Sequence, residues 1–293
     1  MGISTQARRQ DCEGPHYRHA WNEDPALRVL PHSRWTMVAN GGGGDHGSAA
    51  ALKQHYVAAK NEYSVESAIS LIMHYLNDRT MDGLLEDLKG AIIRGTPLIV
   101  VYPTPKFQDV DLSQETGRYI SNALPGALAG IIAKRFGASV DQNIIQIARP
   151  GRTVLNRIQR FLYQPRFEGA VDVKAVYILV DDAYTLGGTL ATLRSHIVGN
   201  GGTVGAVCVL CNQTGHPVPF AISDTQVSDI YELYGLEVEA FWREKVGHDV
   251  RLLTYNEGVF LGEWSTDRLR EGAKPPLLQH LRERFDSARA TGK

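Results

Sequence analysis

The chain has 293 residues, of which 43% are hydrophobic and 22% charged, and its formal net charge at pH 7 is −1. This composition is that of a globular protein with a hydrophobic core, and the near-zero charge gives no general affinity for nucleic acid or membranes. Its apolar runs are shorter than a membrane span, and three cysteines are too few for a disulfide scaffold. We therefore expect a cytoplasmic protein without membrane contact.

The first 47 residues are polar and have no periodic apolar pattern, which predicts an irregular N-terminal segment over residues 1–47. The segment ends in residues 40–47, where four consecutive glycines are typical of a flexible linker. Such glycines can also cradle a phosphate, but that use requires a preceding strand, and the sequence before them does not resemble one. Trp21 and Trp35 indicate that part of the segment packs on the rest of the protein.

Apolar residues recur at helical spacing between residues 48 and 96. Ser64 has a side chain suited to an N-cap, and a glycine and a proline at residues 95–97 end the pattern. The apolar positions are Val65, Ala68, Ile69, Ile72, Met73, Leu76, Leu84, Leu85, Leu88 and Ile92. We predict a helical cap over residues 48–96, with these side chains facing the core.

From residue 97 onward, apolar runs of strand length alternate with helical patterns. Strands are predicted at residues 98–102, 144–148, 176–180 and 204–210, and helices at residues 120–136 and 190–198. This alternation predicts an α/β core over residues 97–211 with a doubly wound parallel sheet. Residues 212–293 follow as a C-terminal extension that we expect to pack on the core, with helices at 227–234 and 277–289.

Two adjacent acids and a glycine-containing loop follow the strand predicted at residues 176–180. The five apolar residues of this strand are typical of burial on both faces of a parallel sheet. Asp181 and Asp182 then stand at its carboxyl end, where open α/β sheets bind their ligands. Residues 185–189 offer backbone N–H groups and hydroxyls to a phosphate, ahead of a helix N-terminus. Paired acids beside a phosphate loop predict a site for a phosphorylated sugar.

Residues 176–189 resemble the phosphoribosyl-pyrophosphate (PRPP) motif of the type I phosphoribosyltransferases. The resemblance implies the parallel sheet of that family, here with an N-terminal helical extension, and Mg²⁺ as cofactor. It also implies that Asp181 and Asp182 bind the ribose hydroxyls and contact the Mg²⁺ only indirectly. The ribose 5′-phosphate would be bound by Thr185, Leu186, Gly187, Gly188 and Thr189. The sequence departs from the family pattern at Ala183, Tyr184 and Leu186.

Phosphoribosyl transfer also requires groups that bind the leaving pyrophosphate and cations near the charge that develops in the transition state. Two further stretches of the sequence match these requirements. Thr104 and Lys106 occupy the position of the family's pyrophosphate loop, although an ordinary proline-rich strand exit would look the same. Residues 149–166 contain five arginines and no acid, where the family carries a mobile catalytic flap. We expect Arg152 and Arg157 to be catalytic contacts to phosphate; a solvated basic hairpin has the same composition.

The order of these features resembles the ComF branch of the family, over about residues 98–211. The N-terminal zinc-binding cysteines of ComF proteins are absent. Cys208 and Cys211 form a C-x-x-C pattern, but they lie on a predicted strand, and we interpret them as buried structural cysteines.

The resemblance implies a Mg²⁺-dependent enzyme that transfers phosphoribosyl from PRPP to an unidentified acceptor, or that hydrolyses PRPP. One alternative is a toxin of a bacterial two-gene antiphage system of the ShosT type, whose partner would be a protein antitoxin. Another is a non-catalytic regulator that senses PRPP. Members of the family are commonly homodimers.

Overall fold

The computed structural model describes residues 17–21, 27–40, 46–105, 122–148 and 155–291. Its main sheet has six strands in the order β4-β2-β7-β8-β1-β9. These strands are β1 (Arg28–Arg34), β2 (Leu98–Val101), β4 (Ser139–Val140), β7 (Val176–Tyr184), β8 (Thr203–Asn212) and β9 (Val218–Pro219). Only β9 is antiparallel to its neighbour, so the sheet is mostly parallel and the predicted α/β class is confirmed.

Strand β1 corrects the prediction that residues 1–47 are irregular. It lies beside β8 inside the main sheet, and five consecutive residues of it are buried. Its sequence hides the strand because Pro31, His32 and Ser33 interrupt the apolar pattern. Strand β9 pairs only with Arg28 and Val29, so that side of β1 is a sheet edge at Pro31, where a proline is tolerated. A short helix, α1 (Trp35–Asn40), follows.

Three helices occupy the stretch predicted as a helical cap, namely α2 (His46–Asn61), α3 (Val65–Tyr75) and α4 (Asp78–Ile93). Ser64 caps α3 as expected, because its side chain accepts a hydrogen bond from the Ser67 N–H. Helix α4 covers β8 and β1 directly, and its Leu84 and Leu88 share one core with Ile178 of the sheet. The prediction that the whole apolar stripe faces the core is wrong for half of its positions, because those side chains point away from the sheet. The exposed positions are Val65, Ile69, Met73, Leu85 and Ile92.

Helices cover both faces of the main sheet. On one face, α5 (Leu124–Phe136) packs on β2 and β7 beside α4. On the opposite face, α7 (Gly188–Gly199) packs on β7 and β8. Side chains of β7 alternate accordingly, since Ile178 belongs to the first core and Leu179 to the second. This arrangement places the last residues of β7 at the junction between two helical layers.

The strand predicted at residues 144–148 forms, but not in the main sheet. It is β5 (Ile145–Ala148), the middle strand of a small sheet with β3 (Thr104–Pro105) and β6 (Arg166–Glu168). Strand β5 is parallel to β3 and antiparallel to β6. The apolar pattern identified the strand but not its partners, because β5 pairs with β3 and with β6, which follows it in the chain.

The C-terminal part of the chain forms a helical layer with its own hydrophobic core. It contains α8 (Asp224–Tyr234), α9 (Val238–Lys245), α10 (Tyr255–Arg270) and α11 (Leu278–Thr291), with a 3₁₀ turn at Val250–Leu252. The core is aromatic: Phe161 of α6 (Gln159–Leu162) stacks with Phe285, and Trp242 contacts both rings edge-on. Within the described ranges, no helix combines the length and apolar character that a membrane crossing requires.

Candidate functional site

The two acids lie within the last part of β7 and not after its end, because the strand continues to Tyr184. Asp181 stands opposite Val209 of β8. Its Oδ1 accepts a hydrogen bond from the Asp182 N–H at 2.8 Å. Asp182 is only 8% exposed. The structure thus brings both acids together near the carboxyl edge of the sheet, inside a strand that ends four residues later than the sequence pattern predicted.

Asp182 has two partners from outside the sheet that the sequence did not reveal. Its carboxylate pairs with the ammonium group of Lys60, at the end of α2. Its Oδ2 also accepts a hydrogen bond from Asn122 Nδ2 at 3.0 Å. Lys60 is 122 residues away in sequence, and nothing in its surrounding pattern distinguishes it from a surface lysine. Only the packing of α2 over the sheet brings it to the acid.

These contacts shift the pKa values of the two acids in opposite directions. Burial opposes the charge on Asp182, but Lys60 and the hydrogen bond from Asn122 lower the pKa of this carboxyl below its ordinary value. Burial and the neighbouring charge of Asp182 raise the pKa of Asp181 well above its ordinary value. Burial also opposes the charge on Lys60, but Asp182 raises the pKa of this ammonium. Asp182 is therefore the charged member of the pair, and Asp181 is the more readily protonated one.

The loop after β7 directs its backbone N–H groups away from the C-terminal helices. The carbonyl of Thr185 accepts a hydrogen bond from Asn256 Nδ2 at 2.6 Å, and the carbonyl of Leu186 accepts one from the Thr254 hydroxyl. In a trans peptide the C=O and the following N–H point in opposite directions. Within the described residues, the N–H groups of positions 186–189 donate to no protein acceptor.

Leu186 is a packing residue, which accounts for one of the three departures from the PRPP motif. Its side chain is 5% exposed and belongs to the aromatic core of the C-terminal helices. Gly187 follows with a φ of +86° as the N-cap of α7. A leucine at position 186 thus anchors the loop to the C-terminal layer, while the backbone of the loop stays available to a ligand.

The described part of the arginine-rich stretch contributes a cation to this loop, at a position other than the predicted Arg157. Arg160 of α6 donates from Nη1 to the Thr185 hydroxyl at 3.0 Å. Arg157 turns instead toward α10, where it lies 3.6 Å from Glu263 and 5.5 Å from the ring centre of Phe260. The sequence showed that several arginines lie in this stretch. It did not show which of Arg157 and Arg160 faces the loop, because that depends on where the short helix α6 begins.

The remaining predicted site residues lie in three different places. The hydroxyl of Thr104 in β3 donates to the Tyr102 carbonyl at 3.1 Å. Within the described residues it makes no hydrogen bond to the acids or the loop. Lys106 and Arg152 lie outside the described residues. Thr189 and Gly188 begin α7, directly after the loop.

Cys208 and Cys211 are free and buried, as predicted. Cys208 Sγ lies 3.5 Å from His32 Nε2, and the thiol of Cys211 donates to the Asp182 carbonyl at 3.4 Å. Burial raises the pKa of both thiols. They are packing residues beneath the acids.

No protein-family model matches the chain. The chain is 32% identical over 229 residues to a protein named TraN from Escherichia coli, an alignment that covers 78% of this chain and 47% of TraN. It is also 36% identical over 77 residues to an uncharacterised protein from Haemophilus influenzae, with 26% of this chain and 17% of that protein covered. The chain thus spans about half the length, or less, of the curated relatives that it matches. Neither name states a ligand or a reaction.

Proposed function

We propose that this protein is a PRPP-binding enzyme with the fold of the type I phosphoribosyltransferases, which transfers phosphoribosyl to an acceptor or hydrolyses PRPP. The observation that carries the proposal is the arrangement at the end of β7. Two acids whose pKa values are shifted in opposite directions are followed by a loop that leads into the N-terminus of α7. The N–H groups of this loop have no acceptor among the described residues. This order of groups fits the ribose hydroxyls and the 5′-phosphate of one ligand.

Each group has a defined task in this proposal. The N–H groups of residues 186–189 and the positive end of α7 would hold the 5′-phosphate. Arg160, already on Thr185, would supply a cation beside it. Asp181 and Asp182 would accept hydrogen bonds from the ribose hydroxyls and hold the sugar ring in register. In the reaction, the C1–oxygen bond to pyrophosphate breaks and pyrophosphate leaves with the electron pair, while C1 bonds to the acceptor, which loses a proton.

Mg²⁺ fits the acids as a cation shared with the substrate. The two carboxylates offer the oxygen donors that Mg²⁺ prefers. Within the described residues, no group of three or more His, Cys, Asp or Glu side chains forms a metal site. We therefore expect Asp181 and Asp182 to contact the ion only indirectly. When bound, the ion would stabilise the charge of the departing pyrophosphate.

The pairing of Asp182 with Lys60 gives this site a specific feature. A ribose hydroxyl must share the carboxylate with Lys60 and Asn122 or displace one of them. A displaced Lys60 ammonium would remain within side-chain reach of the site and could pair with a phosphate of the ligand. Helix α2 thus contributes a second cation to the site, in addition to Arg160.

The proposal is tested by titrating the purified protein with PRPP and Mg²⁺ and following thermal stability and released pyrophosphate together. We expect stabilisation and pyrophosphate release, and we expect Asp181→Asn to lose both. Ribose 5-phosphate and pyrophosphate, added separately, identify which half of PRPP is bound. A wild-type protein that is neither stabilised by PRPP nor consumes it would overturn the proposal.

A non-catalytic PRPP sensor is the second candidate. It is favoured by the saturation of Asp182, which already has a cation and an amide as partners. PRPP is added together with nucleobases and nucleic acids as possible acceptors. If PRPP stabilises the protein and no pyrophosphate is released with any of these acceptors, the sensor role is favoured over the enzyme.

A further inference from the structure

The loop at residues 185–187 is fastened by the first turn of a helix that lies outside the α/β core. Asn256, the second residue of α10, donates from Nδ2 to the Thr185 carbonyl at 2.6 Å. Thr254, the N-cap of the same helix, donates its hydroxyl to the Leu186 carbonyl. Two consecutive carbonyls of the loop are therefore held from the same side.

Holding these carbonyls also fixes the direction of the N–H groups. The only cis peptide among the described residues is the Pro275–Pro276 bond, so the peptides after Thr185 and Leu186 are trans. Their N–H groups, on Leu186 and Gly187, must point away from α10. That is the side on which the anion is expected in the proposed site.

The first turn of α10 is itself firmly held. Thr254 and Glu257 form a reciprocal capping box. Glu257 is 1% exposed and binds Arg18 with both carboxylate oxygens, the longer contact being 2.8 Å. The Leu253 carbonyl accepts a hydrogen bond from Trp21 Nε1 at 3.0 Å. The loop is thus attached to a helix start that is itself held by buried hydrogen bonds.

We propose that Asn256 is a positioning residue of the anion-binding loop, acting through the Thr185 carbonyl. The inference rests on the proposed function, because it assigns the direction of the N–H groups to phosphate binding. It makes the C-terminal helices part of the site. The residue can be tested without breaking the helix, because Asn256 is only half-buried and alanine is the better helix former at this position.

The test compares Asn256→Ala and Asn256→Asp with wild type. Aspartate has the same shape as asparagine but cannot donate the hydrogen bond, and its charge also disfavours an anion in the loop, so the neutral Asn256→Ala variant decides the test. Gln226→Ala is the matched control, because Gln226 Nε2 donates to the Tyr255 carbonyl at 3.0 Å, one residue from Asn256, without touching the loop. Affinity for PRPP and for inorganic phosphate is measured by calorimetry, and the melting temperature of each variant is measured in parallel.

We expect both Asn256 variants to bind PRPP and phosphate roughly tenfold more weakly, on the scale of one lost hydrogen bond, with a melting temperature close to that of wild type. Gln226→Ala should retain its affinity. Equal affinities in wild type and Asn256→Ala would overturn the inference, as would a loss of affinity that appears equally in the Gln226 control.

A second measurement keeps this inference separate from the proposed function. Backbone ¹⁵N order parameters of residues 185–187 are measured without any ligand. Lower order parameters in Asn256→Ala, but not in Gln226→Ala, would support positioning even if wild type bound no PRPP. Unchanged order parameters would overturn it, whereas a failure of wild type to bind PRPP would overturn only the proposed function.

Discussion

The ammonium group of Lys60 and the carboxylate of Asp182 form an ion pair that joins α2 to the end of β7. The Lys60 side chain is 26% exposed and that of Asp182 is 11% exposed, so both charges are largely removed from water. A partly buried charge that loses its partner is costly, because its desolvation is no longer offset. The pair therefore supports the fold as well as the proposed site.

Lys60→Met and Asp182→Asn should each lower the free energy of unfolding by about 2 kcal/mol, below the usual cost for a fully buried pair because water reaches Lys60. The double variant should lose much less than the sum of the two, since it leaves no unpaired charge. Urea unfolding of the four proteins measures this coupling. Lys53→Met, an exposed position on the same helix, is the control and should change little. Additive losses would show that the two groups do not interact.

Asp181→Asn should make the protein more stable at neutral pH while abolishing PRPP binding. The folded-state pKa of Asp181 is raised, so the folded protein binds this proton more tightly than the unfolded chain does. The contribution to stability is present at low pH and declines as pH rises from the ordinary carboxyl pKa through the raised one. Asparagine mimics the protonated form and removes that decline. Urea unfolding from pH 4 to pH 8 should therefore show a difference between variant and wild type that grows with pH.

His32 should make stability depend on pH in the opposite direction. Burial lowers its pKa from 6.5 to about 4, and its Nδ1 accepts a hydrogen bond from the Asn77 N–H at 3.1 Å. Because the unfolded chain binds the proton more readily, stability is lost as pH falls from 6.5 toward 4. This difference in pKa corresponds to about 3 kcal/mol.

His32→Gln keeps an acceptor for Asn77 and should flatten this dependence. The exposed His74 provides the control, His74→Gln. Equal slopes of unfolding free energy against pH between 4 and 6.5 in wild type and His32→Gln would contradict the assignment.

Leu186→Ala should lower the free energy of unfolding by about 2 to 4 kcal/mol, because it opens a cavity in the aromatic core of the C-terminal helices. Leu186→Met, which nearly conserves volume, should cost less than about 1.5 kcal/mol. Urea unfolding provides the comparison. A loss for alanine no larger than for methionine would show that the side chain does not fill the core as described.

The sequence predicted the elements that periodicity marks, and it missed those fixed by distant packing. The strand before Asp181 and the helices at residues 65–75 and 278–291 were visible as apolar patterns. Strand β1 was not, because Pro31 and His32 break its pattern and its burial depends on β8. The partner of β5 depended in the same way on a strand later in the chain.

The residues of the candidate site also fall into those that the sequence predicted and those that only the packing revealed. Asp181, Asp182 and the loop are contiguous, so a motif could identify them. Lys60, Asn122 and Asn256 reach the site from other layers, and no local pattern distinguishes them. The unusual leucine at position 186 was recognised as a departure, but its physical reason required the C-terminal core.

Gly187→Ala tests the geometry of the loop most directly. Gly187 has a φ of +86°, a left-handed conformation that alanine adopts only with strain. A Cβ at this position would also overlap the ring of Tyr184, which is 1% exposed and packs on Phe220. Strain and overlap together should lower the free energy of unfolding by about 2 kcal/mol or more and weaken phosphate binding.

The matched substitution is Gly130→Ala in the middle of α5, where the φ is ordinary and a Cβ would meet no atom within 4 Å. Alanine should stabilise that helix by roughly 0.5 to 1 kcal/mol, since glycine is a poor helix former. Urea unfolding and phosphate titration of both variants separate a general effect of adding a methyl group from a specific one at the loop. If the two variants had the same stability, neither the left-handed φ of Gly187 nor the closeness of Tyr184 would constrain the loop before α7.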